Sequence, residues 1–351
     1  MQHLWVRAEE RPNEARVGLT PDGAAALIAA GLNVTVEESR QRALPIQGYR
    51  DAGCAIAPEG SWRQAPAEAV IFGLKELPEE DLPLTHRHIM FGHAYKGQPA
   101  GVRLLRRFRA GGGVLHDLEY LVEEDGRRVA AFGHWAGYAG AAVSLAAWAA
   151  QARGERLGPV SRAADAAALC DHVAASLRGL APPAVLIIGA QGRVGGGAAA
   201  LCHRLGLRST LWDMAETAHG GPYPEVLEHD VFLNCILAAP GCPVFVPEGA
   251  GGMPRRLRVI GDIACDPGSA FSPVRVYDRA TDWAAPVLRV HDAPVLDVMA
   301  IDNLPGLLPV EASEDFAAQL WPHLRALDRI GAGVWGRARA EFDRQLAALA
   351  G

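Results

Sequence analysis

The sequence has no apolar run long enough to cross a membrane, and it has few cysteines. None of its 351 residues lies in an apolar stretch near the length of about eighteen that spans a bilayer, and its start lacks the regions of a secretory signal. The six cysteines have no C-x-x-C spacing, which argues against a zinc site or a disulfide framework. These absences predict a cytoplasmic protein with free thiols, no membrane association and no metal.

The sequence also lacks a strong charge of one sign and any internal repeat. A formal net charge of -6 offers no basic surface, so no nucleic-acid partner is expected. Half of the residues are hydrophobic, and the length of 351 residues suits two domains of ordinary size. The composition predicts a globular protein that acts on small molecules. It leaves the oligomeric state open and is compatible with a monomer.

The clearest pattern that is present is a glycine-rich turn between two apolar stretches. Val185 to Ile188 form a continuous apolar run, typical of a strand buried on both faces of a parallel sheet. Gly189, Gly192 and Gly195 follow, and an Ala-rich helix is predicted directly after them. Backbone N–H groups at such a helix start can hold a phosphate. The alternative for three glycines in an Ala- and Gly-rich chain is an ordinary tight turn.

An acidic residue after the next apolar stretch favours the nucleotide interpretation. Thr210 to Trp212 are followed by Asp213, eighteen residues beyond Gly195. A dinucleotide fold places there the carboxylate that holds the adenine ribose hydroxyls. Because an acid repels a 2′-phosphate, the sequence predicts NAD rather than NADP.

Short apolar runs alternate with helical segments on both sides of this turn. The first half predicts strands near Leu4–Arg7, Val34–Val36, Ala69–Phe72, Ile89–Phe91 and Val114–Leu115. In the second half, further strands are predicted near Val231–Leu233, Arg258–Ile260 and Val287–Val290. The fold class is therefore α/β, with two Rossmann-like doubly wound parallel-sheet domains. A substrate domain of residues 1–133 and 310–351 and an NAD domain of residues 134–309 are expected, with the active site in the cleft between them.

Ionisable residues follow the predicted strands of the first half. Because the carboxyl ends of parallel strands meet at one sheet edge, these side chains should converge there; they are Glu14, Arg16, Lys75, Glu76, His93, Tyr95, Lys96, Asp117, Glu119, Arg127 and Arg128. Lys75 and His93 could act as an acid–base pair, and the arginines could bind carboxylates. The pattern predicts a site for an anionic amino acid or oxoacid beside a nicotinamide.

Several longer motifs resemble one enzyme family. They are EARVGLTP (Glu14–Pro21), GLKELP (Gly73–Pro78), FGHAYKGQ (Phe91–Gln98), HDLEYL (His116–Leu121), GRRVAAFG (Gly126–Gly133), GAQGRVGGG (Gly189–Gly197), WDMAET (Trp212–Thr217) and IDNLPGLLPVEAS (Ile301–Ser313). Together they resemble the NAD-dependent, L-lysine-forming saccharopine dehydrogenases, which are relatives of alanine dehydrogenase. The resemblance implies reversible oxidative deamination of saccharopine to L-lysine and 2-oxoglutarate, with NAD as cofactor.

The resemblance also implies roles for individual residues. Lys75 would take the proton of the secondary amine, His93 would activate water for imine hydrolysis, and Glu76 and Glu119 would tune their proton affinities. The implied substrate contacts are Arg16, Lys75, Lys96, Arg128, Phe132, Ala264, Cys265 and Asp266. The implied cofactor contacts are Gln98, Arg127, Gly189, Gly192, Arg193, Gly195, Asp213, Thr217, Leu237, Ile263, Ile301, Asp302, Asn303 and Leu304.

Two positions depart from the family pattern. Val194 stands where fungal members carry a cysteine, so a thiol pair with Cys235 is excluded, and Leu237 stands where members usually have an aromatic residue. An alanine-dehydrogenase-like or other opine-type amino-acid dehydrogenase is the nearest alternative, and a nucleotide-sensing protein without turnover is an alternative of another class. The sequence leaves open the physiological direction and whether lysine is the true amino-acid substrate.

Overall fold

A computed structural model describes residues 2–237 and 239–349, which divide into two compact units. One unit contains the residues as far as Ala131 together with those from Ala312 onward, and the other contains Phe132–Glu311. Each unit is built around a six-stranded sheet. In the part of the chain so described, no helix is long and apolar enough to cross a membrane.

The first unit contains a fully parallel sheet with the strand order β3-β2-β1-β4-β5-β6. This is the doubly wound order, in which the strand order reverses between β1 and β4. The strands are β1 His3–Val6, β2 Asn33–Glu37, β3 Ala55–Ala57, β4 Val70–Phe72, β5 Arg87–Met90 and β6 Val114–Asp117. The helices that accompany them are α1 Pro21–Ala29, α2 Ile46–Asp51 and α3 Pro99–Gly111.

Local sequence explains where α1 begins. Thr20 is its N-cap, and the Thr20 hydroxyl accepts a hydrogen bond from the Gly23 amide at 3.1 Å. Pro21 occupies the first helical position, where its missing N–H costs nothing. The structure therefore confirms the helix start predicted from this Thr-Pro pair.

The second unit contains a mostly parallel sheet with the strand order β11-β12-β10-β9-β7-β8. Its strands are β7 Val185–Ile188, β8 Ser209–Trp212, β9 Val231–Asn234, β10 Val259–Asp262, β11 Leu288–Asp292 and β12 Val295–Met299. Only β11 runs antiparallel, and it pairs with β12. Its helices are α4 Gly133–Ala152, α5 Ala166–Leu177, α6 Arg193–Arg204, α7 Met214–Thr217 and α8 Pro224–Glu228. The predicted α/β fold class is confirmed for both units.

Two helices of the second unit touch through their backbones. A Cβ atom at Gly137 of α4 would lie 1.8 Å from the Val194 carbonyl oxygen, and one at Gly197 of α6 would lie 1.8 Å from the His134 carbonyl oxygen. Any larger residue at either position would force the helices apart. These glycines therefore set the distance between α4 and the helix that follows the glycine-rich turn.

The last two helices are α9 Pro309–Leu324 and α10 Gly333–Ala348. Phe342 of α10 is buried in the core of the first unit, with its ring 5.5 Å from that of Phe108. The Trp335 carbonyl lies 3.2 Å from Nδ1 of the buried His116. Helix α10 is thus packed on β6. Four short 3₁₀ segments complete the described elements: Ser61–Gln64, Glu248–Gly252, Leu304–Leu307 and Leu327–Arg329.

A buried histidine in the first core predicts acid sensitivity. His88 on β5 is 1% exposed, packs edge-on against Trp62 and Phe108, and has no hydrogen-bond partner for either ring nitrogen among the described residues. Burial lowers the pKa of His88 well below its ordinary value, and the charges of Arg7, His86 and Arg107 act in the same direction. As pH falls, His88 is therefore protonated at a higher pH in the unfolded chain than in the folded protein.

We expect His88→Phe to make the free energy of unfolding less dependent on pH below neutrality. The contribution of neutral His88 is complete above the unfolded-state pKa of about 6.5 and is lost below it, by at most about 1.4 kcal/mol per pH unit. The urea midpoint of the variant should therefore fall less than that of the wild type between pH 7.5 and pH 5.5. His203→Phe, at an exposed position, is the control. Equal losses of midpoint in wild type and His88→Phe would contradict this account.

Candidate active site

His93 lies between two carboxylates in the first unit, just beyond the carboxyl end of β5. Its Nε2 atom is 3.8 Å from Oε2 of Glu76, and its Nδ1 atom is 3.8 Å from Oε2 of Glu119. The three side chains come from the segments that follow β4, β5 and β6, which are neighbours in the sheet. The convergence predicted from the sequence therefore brings these three residues together. A histidine in this setting can exchange a proton while either carboxylate balances its charge.

Two cationic side chains also contact Glu119. Its Oε1 atom is 3.4 Å from Nζ of Lys96 and 3.8 Å from the Arg128 guanidinium. Lys96 and Arg128 are half-exposed, whereas Glu119 is largely buried. The two cations can therefore face solvent or a bound anion while one carboxylate holds them in place.

The loop that carries His93 has an unusual backbone. His93 has a φ of 46°, in the left-handed region that non-glycine residues seldom adopt. The preceding Gly92 has no room for a side chain, because a Cβ atom there would lie 2.7 Å from Leu115 and 3.1 Å from Oδ2 of Asp117. Such strained positions cluster at functional sites. The surrounding packing thus fixes the direction in which His93 projects.

Asp117 is a further carboxyl group in this part of the unit. It ends β6, is fully buried, and accepts a hydrogen bond from the backbone amide of Glu119 at 2.9 Å, while its Oδ2 atom lies against Gly92. Burial raises the pKa of Asp117 to about 7, an effect that hydrogen bonding to the backbone partly opposes. Asp117 therefore ties together the two loops that carry His93 and Glu119, and its charge changes near neutral pH.

Arg16 is already paired within the protein. Its Nε donates to Oε1 of Glu14 at 2.8 Å and its terminal nitrogen donates to Oε2 at 2.5 Å, a bidentate contact between two buried side chains. Burial acts to raise the pKa of Glu14, but the hydrogen bonds and charge of Arg16 and the charge of Lys75 lower it overall. The sequence motifs predict a substrate carboxylate as the partner of Arg16, whereas in the structure its bidentate edge is bonded to Glu14.

Lys75 follows β4 and is half-buried beside these groups. Its charge lowers the pKa of Glu14, so the two side chains lie within electrostatic reach. The next residue, Glu76, contacts Arg11 at 3.6 Å as well as His93. Arg11 is absent from the residues predicted from the sequence, although it stands three residues before Glu14 in the same segment after β1. Glu76 therefore connects Arg11 with His93, and the charge of Lys75 acts on Glu14 in the same unit.

The glycine-rich turn of the second unit has the shape of a phosphate-binding loop. Gly189 follows β7 with a φ of +86°, and a Cβ atom at Gly195 would lie 2.1 Å from the Gly189 carbonyl oxygen. Gly192 is the residue immediately before the 12-residue helix α6 and is exposed. The backbone can therefore approach a pyrophosphate closely at a helix start, which fits a bound dinucleotide.

Asp213 directly follows the next strand, β8, where a dinucleotide fold needs a carboxylate. Its Oδ1 accepts the Met214 amide and its Oδ2 accepts the Gln191 amide, both at 2.9 Å. The second bond connects the end of β8 to the glycine-rich turn. Glu216 completes a capping box by accepting the Asp213 amide at 2.7 Å. The carboxylate is thus fixed beside the turn and retains lone pairs for ribose hydroxyls.

We expect Asp213→Ala to raise the KM for NAD by about tenfold to a hundredfold, the effect of losing hydrogen bonds to a charged group worth ~1.5–3 kcal/mol. The chemical step should change little, since the contact is made equally in ground and transition states. Glu216→Ala is the control, because it breaks the same capping box and keeps the carboxylate. An unchanged KM for Asp213→Ala, or an equal rise in both variants, would remove Asp213 from the cofactor site.

The remaining positions that the resemblance assigns to the cofactor fall into two groups. Ile263, Ile301 and Leu304 are buried in the core of the second unit, so a cofactor contact there would use their backbone. The others stand at surface or half-buried positions: Gln98, Arg127, Arg193, Thr217, Leu237, Asp302 and Asn303. Leu237 is 74% exposed, an unusual setting for a large apolar side chain.

A buried polar network supports the segment Ala264–Asp266. Asp262, the last residue of β10, accepts the Tyr277 hydroxyl at 2.7 Å and the Asn234 amide at 2.9 Å. Cys265 has a φ of 51°, and its amide donates to Asp262 at 3.3 Å. Asp262 and Asn234 are absent from the residues predicted from the sequence, although both end strands of a parallel sheet, the position that predicts the first-unit residues. The described residues include no group of three or more His, Cys, Asp or Glu side chains that could hold a metal ion.

The sheet orders and the glycine-rich turn define a Rossmann-type protein with the fold of the alanine dehydrogenases. The family model "Alanine dehydrogenase/PNT, N-terminal domain" matches residues 5–139. The solved structure of an L-alanine dehydrogenase superposes with a TM-score of 0.71 at 21% identity, covering 99% of this chain and 94% of that one. This likeness establishes the fold.

Full-length relatives identify the family more narrowly. Saccharopine dehydrogenase (NAD+, L-lysine-forming) of Schizosaccharomyces pombe is 41% identical over 99% of both chains. The protein of that name from Candida albicans is 42% identical over 99% of this chain and 97% of its own. The chain belongs to the family of NAD-dependent, L-lysine-forming saccharopine dehydrogenases, as the sequence motifs predicted.

Proposed function

We propose that this protein catalyses the reversible NAD-dependent oxidative deamination of saccharopine to L-lysine and 2-oxoglutarate. The observation that carries the proposal is the position of His93 between Glu76 and Glu119, with Lys75 directly before Glu76, in a chain whose full-length relatives bear that enzyme name. Residues 1–133 and 310–351 form the substrate domain, and residues 134–309 bind NAD.

Bound NAD supplies the hydride acceptor, and the chain's own residues move the protons. Lys75, in its neutral form, takes the proton of the saccharopine secondary amine as the C–H hydride leaves, which yields an imine. His93 takes a proton from water as the water oxygen bonds to the imine carbon. That proton is then returned to nitrogen, and the hydroxyl proton of the resulting carbinolamine is also transferred to nitrogen as the C=O bond forms and the C–N bond breaks, which releases lysine and 2-oxoglutarate. Glu76 and Glu119, each 3.8 Å from His93, stabilise its charged form.

The cations around Glu119 hold the carboxylates of the substrate. Saccharopine is a tricarboxylate, and Lys96 and Arg128 are half-exposed cations that share one internal carboxylate. A bound substrate carboxylate can therefore replace solvent around them without leaving a charge unpaired. The Glu14–Arg16 pair, Phe132 and the segment Ala264–Asp266 complete the proposed substrate contacts.

We expect Arg128→Ala to raise the KM for saccharopine and for 2-oxoglutarate by about tenfold to a hundredfold, since a hydrogen-bonded charge pair contributes ~1.5–3 kcal/mol. The adjacent Arg127 pairs instead with Asp125 at 2.7 Å and is 79% exposed. Arg127→Ala is therefore the matched control. It should leave the KM for saccharopine unchanged and alter the KM for NAD, because the resemblance assigns Arg127 to the cofactor. Equal effects of the two variants on saccharopine would refute the assignment of Arg128.

The proposed reaction is tested by its stoichiometry. Purified protein incubated with saccharopine and NAD should form NADH, L-lysine and 2-oxoglutarate in equal amounts, with NADP a poorer oxidant. Lys75→Met serves as the negative control for contaminating dehydrogenases. Absence of lysine, or NADH formation without 2-oxoglutarate, would exclude the proposed function.

A further inference from the structure

We propose that Arg7 and Glu9 are positioning residues that clamp the backbone of Lys75 and so set the rate of its proton transfer. The inference rests on the proposed function, because it assumes that Lys75 is the base. Both residues lie at the carboxyl end of β1, next to the β4 strand that Lys75 follows. Neither belongs to the set of residues that the sequence motifs assigned to the site.

Glu9 uses both carboxylate oxygens on the Lys75 segment. Its Oε1 accepts the Leu74 amide at 2.6 Å, and its Oε2 accepts the Lys75 amide at 3.0 Å. Glu9 is 7% exposed, so little water competes for these bonds. Two consecutive amides held by one buried carboxylate leave the peptide between them with little rotational freedom.

Arg7 holds the next peptide, on the other side of the Lys75 Cα atom. Its guanidinium donates to the Lys75 carbonyl, and it also donates to the Ala8 carbonyl at 3.0 Å. It pairs with Glu9 at 3.5 Å and is 2% exposed. The amide and the carbonyl of Lys75 are therefore both bonded to members of one buried ion pair.

Gly73 makes room for this arrangement. A Cβ atom at Gly73 would lie 2.4–2.6 Å from three atoms of the Arg7 guanidinium. The first residue of the motif GLKELP is thus a glycine because an arginine side chain lies flat against it. Leu74 is buried behind it, which anchors the segment on its other side.

The clamp is costly as a purely structural device. Burying an ion pair costs the hydration free energy of both charges, and their mutual attraction barely compensates for that cost. Apolar residues of similar volume often stabilise a fold equally well. Hydrogen bonds to backbone atoms have another effect, because they fix the position of the backbone from which the long, flexible side chain of Lys75 extends. A displacement near 1 Å at a reacting group can lower a rate by about a hundredfold.

The composition of the chain provides a direct probe. Lys75 and Lys96 are its only two lysines, and the rest of its 34 lysine and arginine residues are arginines. Protein grown with lysine labelled at the ε-carbon therefore gives two side-chain NMR signals, and Lys96→Arg assigns them. The Lys75 signal reports the surroundings of that side chain without any need for turnover.

The test compares Glu9→Gln with Asp230→Asn. Asp230 is equally buried, pairs with Arg256 at 2.7 Å and accepts the Ala184 amide at 2.7 Å, but it lies at the amino-terminal side of β9 in the second unit. Glu9→Gln should lower kcat roughly tenfold to a hundredfold, leave the KM for NAD unchanged and move the Lys75 signal alone. Asp230→Asn should lower the melting temperature and change neither kcat nor the Lys75 signal.

Gly73→Ala provides a second variant should Glu9→Gln not fold. The added methyl group displaces the flexible end of Arg7, so it should reproduce the loss of kcat and the shift of the Lys75 signal at small cost in stability. An unmoved Lys75 signal, or an unchanged kcat, in the folded variants overturns the clamp. Failure of the proposed function is distinguishable, because the wild-type protein itself would then form no lysine and 2-oxoglutarate from saccharopine and NAD.

Discussion

Lys75→Met should lower the kcat of saccharopine oxidation by roughly 10² to 10⁴, the usual contribution of a general base. Methionine keeps the length of the side chain and its apolar stem but cannot accept a proton. A free lysine titrates near pH 10.4, so only its neutral fraction works, and the acidic limb of the pH–rate profile should report it. Because Lys75→Met removes this group, that limb should disappear from the profile.

The control for Lys75→Met is Arg50→Met, which removes an exposed cation of the same unit that pairs with Glu38 at 2.9 Å. Arg50→Met should keep the wild-type rate and profile, and both variants should bind NADH normally in a fluorescence titration. A wild-type rate and profile for Lys75→Met would show that another group is the base, even though the fold is as described.

His93→Gln should slow the same reaction at imine hydrolysis, by about a hundredfold or more. Glutamine can still hydrogen-bond to Glu76 or Glu119, both of which lie 3.8 Å from His93, but it cannot take a proton from water. Hydride transfer precedes this step and should stay fast. Stopped-flow mixing with saccharopine and NAD should therefore show a burst of NADH, about one per active site, before a slow steady rate.

Lys75→Met is the matched comparison for this burst, because it should slow hydride transfer itself and show none. The double variant should lose less than the product of the two single losses, since residues that act as one unit are not additive. A His93→Gln protein that is slow from the first turnover would place His93 before hydride transfer instead.

The parts of the fold that the sequence predicts are those with a strong local signal. Buried strands such as Val185–Ile188 form continuous apolar runs, and α1 begins at its Thr-Pro signal. The sequence does not predict β3, a three-residue edge strand with little burial, or β12, where Asp297 interrupts the apolar pattern. Asp297 is buried because Arg289 and Gln151 bond to it, a tertiary fact that no local pattern contains.

In the candidate site, too, some contacts follow from the sequence and others do not. The order of parallel strands brings His93, Glu76 and Glu119 together, so their proximity follows from their places after three strands. The partner of Arg16 does not follow from this rule, because Glu14 precedes it by two residues in a loop whose shape is set by packing. The clamp on Lys75 is equally hidden, since hydrogen bonds to backbone atoms leave no signature at the bonded residue.

The most direct measurement compares two substrate pairs in the reductive direction. NADH consumption is followed by absorbance with L-lysine plus 2-oxoglutarate, and separately with ammonia plus pyruvate, over a range of concentrations. The account predicts turnover with lysine and 2-oxoglutarate, and little or none with the other pair. A higher kcat/KM with ammonia and pyruvate would contradict it and make this protein an alanine-dehydrogenase-like enzyme; no turnover with either pair would favour a nucleotide-sensing protein.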